Sequence, residues 1–496
     1  MTAIDPRTPV LAGFAVTTQR EEDFRRAREP LALMLHAVQR AGDDCGAAQA
    51  LASVDWIAVP KGRWQYSNPS GAIARSIGAI HATTVLASVG VLQQSLIGAA
   101  CARIARGESA MTLVVGGDAG YLLLRAQIAG GAASDTQQHS APDVYWTPAD
   151  ELRHPIERAA GLQMPVGLYA LIESAYRFEQ RLSVDAHRDR LASLYERMSG
   201  IAARNPHAWQ QTAVAAATIR EPGPKNPMQA FPYTKLHCSS WNVDQAAALL
   251  FCSHDRADAL GIPMLKRIYP LASTESNHMV PVVERARLAT CPGAAIAGQA
   301  ALASVNLDVA ELDLVELYSC FPVAVELFAD AIGIALERPL TVTGGMPFAG
   351  GPYNNYVLQA TCRAAELLRA MREATKAEQR PRTALVGSVS GILTKQGFGL
   401  WSTTPPTAFL HADVTSDVAQ ATERREVVAG YRGPATVAAC TVLHVRGEAA
   451  KAVALCDTPQ GCRTLAVTDD SSLVMAIESE EMVGRGLRID GQRLAA

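Results

Sequence analysis

The chain has 496 residues, a net charge of −3 and 49% hydrophobic residues, enough apolar material for two or three domains with cores of their own. A near-zero net charge without blocks of Lys or Arg argues against nucleic acid as the main partner. Ten dispersed cysteines and eleven isolated histidines show no metal-ligand spacing, so no metal is expected, and such thiols suit a reducing cytoplasm.

Residues 1–6 are neither basic nor apolar, so no secretory signal is expected. Strand-like runs recur at 9–15, 54–59, 111–115, 246–252, 312–317, 384–389 and 435–442, with helical stretches between them. Alternation of this kind predicts an α/β protein with parallel sheet. The most apolar stretch, 83–104, contains Gln93, Gln94 and Arg103 and reads as a buried core segment, so no membrane span is expected. Residues 120–242 break the pattern. They are polar over 134–155, strongly helical over 164–203 and without strand signals, as expected of an insertion folded over the core as a lid. Beyond about residue 414 antiparallel alternation takes over, with further short strands expected at 464–467 and 473–477. Strand count and spacing there predict a small all-β, barrel-like domain.

Two segments share spacing. Residues 90–101 and 351–362 each begin with Gly, continue as a helix of small and apolar residues and end in Cys, with Arg within two residues. Each leads to a strand rich in glycine, ending Gly116-Gly117 in one case and running from Gly387 to Gly391 in the other. Two copies of one α/β unit would pack these helices together at the centre; chance similarity of Ala-rich helices is the alternative.

Tyr318-Ser319-Cys320-Phe321 closes the apolar run 312–317 and is followed by Pro322 and a helical pattern over 323–334. Pro in the first turn puts Cys320 at or near a helix N-terminus, where unpaired N–H groups and the dipole favour a thiolate. The competing reading is a small buried hydrophobe. The segment 344–356 is the second dense signal, with four glycines (Gly344, Gly345, Gly350, Gly351) before a helix. Glycines there let backbone N–H groups approach a ligand, or merely make a tight turn. It matches neither a Walker loop nor a GxGxxG, which disfavours nucleotide triphosphates and dinucleotides. Lys395, in a third glycine-containing turn at 391–395, is a candidate anion contact or a solvated lysine.

These residues resemble the thiolase superfamily, in particular its sterol-carrier-type branch and the bacterial thiolase-like proteins of type 1. Tyr318-Ser319-Cys320-Phe321 stands where that branch carries His-Asp-Cys-Phe and ordinary thiolases carry Asn-Glu-Ala-Phe. Gly350-Gly351-Pro352 stands at their Gly-His-Pro, and residues 387–391 at their Cys-x-Gly turn. Residues 107–117 match their helix–strand–Gly-Gly segment.

The resemblance implies two βαβαβαββ halves forming a five-layered α-β-α-β-α core, with a helical insertion and a C-terminal OB-like β domain. The expected division is 1–119 with 243–262, then 120–242, 263–413 and 414–496. It also implies an acyl-CoA acyltransferase of lipid metabolism, acetyl-CoA acetyltransferase-like, with a CoA thioester as substrate, no permanently bound cofactor, and a homodimer or dimer of dimers.

The family nucleophile falls at Gly90, the activating His at Gly351 and the second Cys at or near Gly387, so three catalytic side chains are replaced by glycine. The expected catalytic set is Cys320, Tyr318, Tyr353 and Asn354, with Gly90, Gly351 and Gly387 for the oxyanion and Gly350, Ser390 and Lys395 for substrate. Three functions stay open. They are acyl transfer through Cys320, retro-aldol or retro-Claisen cleavage without a covalent intermediate, and thioester binding without catalysis.

Overall fold

The computed structural model describes residues 4–374 and 380–495. The run of strands and helices folds into two half-molecules whose sheets are built alike. In the first, Pro9–Gln19 lies antiparallel to Asp244–Ser253, which lies antiparallel to Met111–Ala119, which lies parallel to Trp56–Pro60. In the second, Tyr269–Ser276, Lys395–Ser402, Thr383–Ser390 and Leu314–Glu316 repeat those partners and directions. The duplication expected from the paired Gly–helix–Cys segments is present as topology.

The halves also differ. Thr83–Ala87 extends the first sheet in parallel, but the corresponding region of the second half, residues 340–343, is not a strand. The cause is Glu316. Its buried carboxylate accepts the N–H groups of Val342 (2.7 Å) and Thr343 (2.9 Å) and the hydroxyls of Thr341 and Tyr356, so those donors are satisfied without a sheet neighbour.

Helices Gln93–Ala105 and Tyr356–Ala374, the expected central pair, lie between the sheets. Pro30–Cys45 and Pro69–Ile77 cover the outer face of the first sheet, while Pro292–Ala303 and Pro322–Ile332 cover that of the second. The result is the five-layered α-β-α-β-α core. Its interior is almost continuous hydrocarbon, Leu96, Ile97, Val357, Leu358, Phe251 and Phe398 among it. No helix among the described residues is long and apolar enough to cross a membrane.

Residues 120–242 are mainly helical, with Pro165–Glu179 and Val184–Ala202 as the long elements. The segment is not free of strands, as its polarity had predicted. Val144–Trp146 adds to the first sheet alongside Thr83–Ala87, and Met228–Ala230 pairs with the C-terminal domain. At three residues each, these strands exist only because a sheet edge is there to receive them.

The C-terminal domain closes on itself. Arg432–Val445 pairs with Glu448–Asp457, then Arg463–Thr468, Arg493–Ala495 and Gly486–Asp490 follow, and the last returns to the first. A five-strand ring of this kind has no free edge, and Val437, Val442, Ala454 and Ala466 fill it. The strand expected at 473–477 is instead part of helix Ser471–Ser479. Asp470 caps it, accepting from Ser472 N and Leu473 N at 3.0 Å each, and Leu473, Val474 and Ile477 share one face.

Candidate functional site

Four turns meet where the two central helices begin. The first precedes helix Gln93–Ala105. Gly90 has φ +103°, and its carbonyl accepts from Lys395 Nζ at 2.7 Å and Ser390 Oγ at 3.3 Å. Three residues singled out from distant parts of the sequence are thereby joined. Lys395 is buried, and burial lowers its pKa below the ordinary lysine value. It lies in the turn that carries Ile392 (φ +53°) and Leu393 (φ +64°), two β-incompatible backbones in succession.

The second and third turns come from the glycine-rich segment. Gln93, in the first turn of one central helix, ties it to the other. Its Oε1 accepts Val357 N at 2.8 Å and its Nε2 donates to Asn354 Oδ1 at 3.4 Å. Gly350 has φ +101°, and a Cβ there would lie 2.2 Å from Gln245 Oε1. A Cβ on Gly351 would lie 2.1 Å from Ser239 Oγ and 3.0 Å from Met346 Cε, so a side chain there would have to displace that hydroxyl. The Gly351 N–H is taken by Ser240 O at 2.8 Å.

Tyr353 has φ +48° and donates its N–H to Gly351 O at 2.6 Å; its ring is 36% exposed, with the Arg63 guanidinium 5.9 Å from its centroid. Such a conformation is strained for an aromatic residue and persists only where surroundings enforce it. Asn354 Nδ2 and both ends of the Asn355 amide have no partner among the described residues, although the atoms are buried. Unfilled amides at the mouth of two helix N-termini are the polar groups most available to a carbonyl oxygen.

The fourth turn carries Cys320, and here the expectation of a dipole-activated thiolate is not met. Phe321 is the cap of helix Pro322–Ile332, and Cys320 lies one residue outside it. The helix N-terminus is occupied by a buried carboxyl instead. Glu173 of helix Pro165–Glu179 is wholly buried and accepts from Val323 N, Tyr233 Oη (2.5 Å) and His187 Nε2 (2.7 Å). Cys320 itself is bonded to Tyr169, one turn earlier on that insertion helix, within a wall of Phe321, Tyr195, Tyr233 and Tyr318. Burial pushes the Cys320 thiol up to about 12, so it is a neutral S–H. Tyr318 stands edge-on to Tyr356 at 5.6 Å, and burial raises its phenol also.

Gly387 lies apart. It is inside strand Thr383–Ser390 opposite Phe398, and its open side faces Phe328 of the outer helix, the far side of the sheet from the central pair. The turn that reaches the site starts three residues later, at Ser390.

Glu173, His187 and Glu326 bring three potential metal-ligand atoms within 4.8 Å. Glu173 and Glu326 are hydrogen-bonded to each other and burial raises both carboxyls, so the pair shares a proton, with Arg190 3.0 Å from Glu326.

Gln93, Asn355, Ser239, Tyr169 and Glu173 were not among the expected site residues. Gln93 left a signal, since it interrupts an otherwise apolar run at a helix start. The others belong to the insertion or to a polar doublet and act across long sequence separations.

No protein-family model matches the chain. Among solved structures, a monomeric SCP2-thiolase-like protein type 1 from Mycobacterium smegmatis is similar at 26% identity, covering 99% of this chain and 100% of that one, with a TM-score of 0.82. An Ltp2–ChsH2(DUF35) aldolase is similar in fold at 18% identity, 80% and 98% coverage and TM-score 0.60. An acetyl-CoA acetyltransferase from Syntrophomonas wolfei is similar in fold at 16% identity, 81% and 100% coverage and TM-score 0.55.

Proposed function

The chain is a relative of the thiolase superfamily, and from that premise we propose that it binds a CoA thioester and cleaves the Cα–Cβ bond of its acyl chain without an acyl-enzyme. One observation carries this reading. Gly90, which by the resemblance takes the nucleophile's place, offers no thiol and has its carbonyl held by Lys395 and Ser390, while Cys320 is a buried neutral thiol. Acyl transfer through Cys320 needs its thiolate; cleavage of a β-hydroxyacyl thioester does not. The likeness in fold to an aldolase agrees with it.

In that reaction the β-hydroxyl loses its proton and its oxygen becomes a carbonyl as the Cα–Cβ bond breaks. The electron pair passes to the thioester as an enolate, which is protonated at carbon. Asn354 and Asn355 supply amide donors for the enolate oxygen. Tyr353, exposed at the same turn, is the phenol through which a proton moves.

The test is incubation with 3-hydroxyacyl- and 3-ketoacyl-CoA thioesters, followed by mass spectrometry of the products. Tyr353→Phe and Asn354→Leu are each expected to lower kcat by about 10²–10³-fold, the usual loss for one oxyanion or proton-handling group. Cys320→Ser is expected to stay within about threefold of wild type, an energy below 1 kcal/mol. An acyl adduct on Cys320 in acid-quenched samples would overturn the reading in favour of transfer. A partner protein of the kind found in that aldolase belongs to the same proposal, and co-purification from the native host tests it.

A further inference from the structure

A cavity of about 390 Å³ opens on the outer side of the second sheet, lined by none of the residues of the central helices. Its floor is the first turn of helix Pro292–Ala303; Leu393, Thr394 and Gln396 form one wall, and Arg285 and Arg287 another. It backs onto the turn whose next residue, Lys395, holds Gly90. Strand alternation sends Lys395 to the inner face and Gln396 to the outer.

Three features are left unfilled there. Helix Pro292–Ala303 has 12 residues and starts at Cys291; Pro292 has no N–H, the N–H groups of Ala294 and Ala295 are taken by Cys291, and the Gly293 N–H is left at the positive end of the dipole. Gln396 is 1% exposed, and its Nε2 donates to Leu393 O (2.8 Å) and Cys291 Sγ (3.0 Å), which fixes the amide's orientation. Its Oε1 is therefore an acceptor without a donor, directed at that same first turn, where a Cβ on Gly293 would lie 2.0 Å from it. Arg287, exposed on the rim, makes no side-chain hydrogen bond or ion pair among the described residues. Arg285, by contrast, is occupied by Val280 O (3.0 Å) and Ile392 O (2.6 Å).

An unpaired N–H at a helix start and a free guanidinium call for a carboxylate. A buried acceptor with no donor calls for a hydroxyl or ammonium on the same molecule, because an unmet buried carbonyl costs about 1–3 kcal/mol. Asp330, and Glu423 whose backbone carbonyl accepts the Ala286 N–H beside Arg287, oppose multiply charged anions. We propose that this cavity is a second binding site, separate from the thioester site, for a small monocarboxylate that carries a hydroxyl or ammonium donor.

Calorimetric titration of the full chain with L-lactate, L-serine, acetate and inorganic phosphate tests it. Lactate or serine is expected to bind saturably, one per chain, with a Kd between about 10 μM and 1 mM. Acetate, which lacks the donor, should bind at least about tenfold more weakly. Arg287→Ala, an exposed change that leaves the fold intact, should weaken lactate and serine about tenfold, the value of one charge-assisted contact. The proposal is overturned if neither lactate nor serine binds below about 10 mM. It is equally overturned if acetate or phosphate binds as tightly as they do, or if Arg287→Ala leaves their affinity unchanged.

Discussion

Replacing Gly344 by alanine is expected to detach the insertion from the second half. Gly344 has φ +102°, and a Cβ there would stand 2.3–2.4 Å from the Cβ, Cα and N of Ala202, the last residue of helix Val184–Ala202. The obstacle is backbone, so the helix end must move as a body. A left-handed conformation and an overpacked contact each cost about 1–3 kcal/mol, giving a loss on the order of 2–6 kcal/mol. Gly333→Ala is the control: φ is +75° and nothing lies within 4 Å, so only the conformational penalty of about 1 kcal/mol remains. Hydrogen exchange along helix Val184–Ala202 reads the effect directly. Equal protection in the two variants would show that the close approach does not hold the insertion in place.

Glu173→Ala is expected to be more damaging than any change at Cys320. It strips the partner from Tyr233, His187 and the Val323 N–H at once, all of them buried, for a cost on the order of 3–5 kcal/mol. Glu173→Gln separates charge from hydrogen bonding. Burial raises the Glu173 carboxyl from 4.5 to about 7, so the folded chain keeps a proton that the unfolded chain has lost. Its contribution to stability is thus complete below pH 4.5 and disappears as pH rises through about 7. His187, lowered from 6.5 to about 4 by burial, acts in the opposite sense: its contribution is complete above 6.5 and is lost as pH falls toward 4. The glutamine variant removes the first of these and eases the upward shift of the hydrogen-bonded Glu326 carboxyl, which acts in the same sense, while the His187 contribution stays. Relative to wild type it should therefore gain stability on going from pH 4.5 to above 7, by roughly 1–3 kcal/mol. A difference independent of pH would mean that Glu173 does not change protonation in this range. Denaturant titrations at several pH values decide it.

The sequence showed where backbone would matter more readily than it showed side-chain environment. The glycines at 344–345 and 350–351 do mark positive-φ turns and close approaches, because only glycine tolerates them and its presence is visible in the chain. The strand–turn–helix geometry around Cys320 was equally legible from the apolar run and Pro322. The protonation of Cys320 was not, since Glu173 competes for the same helix end from nearly 150 positions earlier and leaves no local trace. The Gly90–Lys395 bond spans 305 positions and is of the same kind. Residues 471–479 failed for another reason. An apolar run that short fits strand or helix equally, and the Asp470 cap decides between them.

The insertion's two three-residue strands have a mechanical consequence. Val144–Trp146 is hydrogen-bonded to the first sheet and Met228–Ala230 to the barrel, so this segment is stitched down at both of its ends. Swinging it outward like a hinged cover would break both seams, and the first seam also occupies the sheet border that another copy of the chain would need for strand exchange. Beside the helix tips the rings of Tyr353 and Trp241 already face water, each within about 6 Å of the Arg63 guanidinium, with the stitched segment staying put.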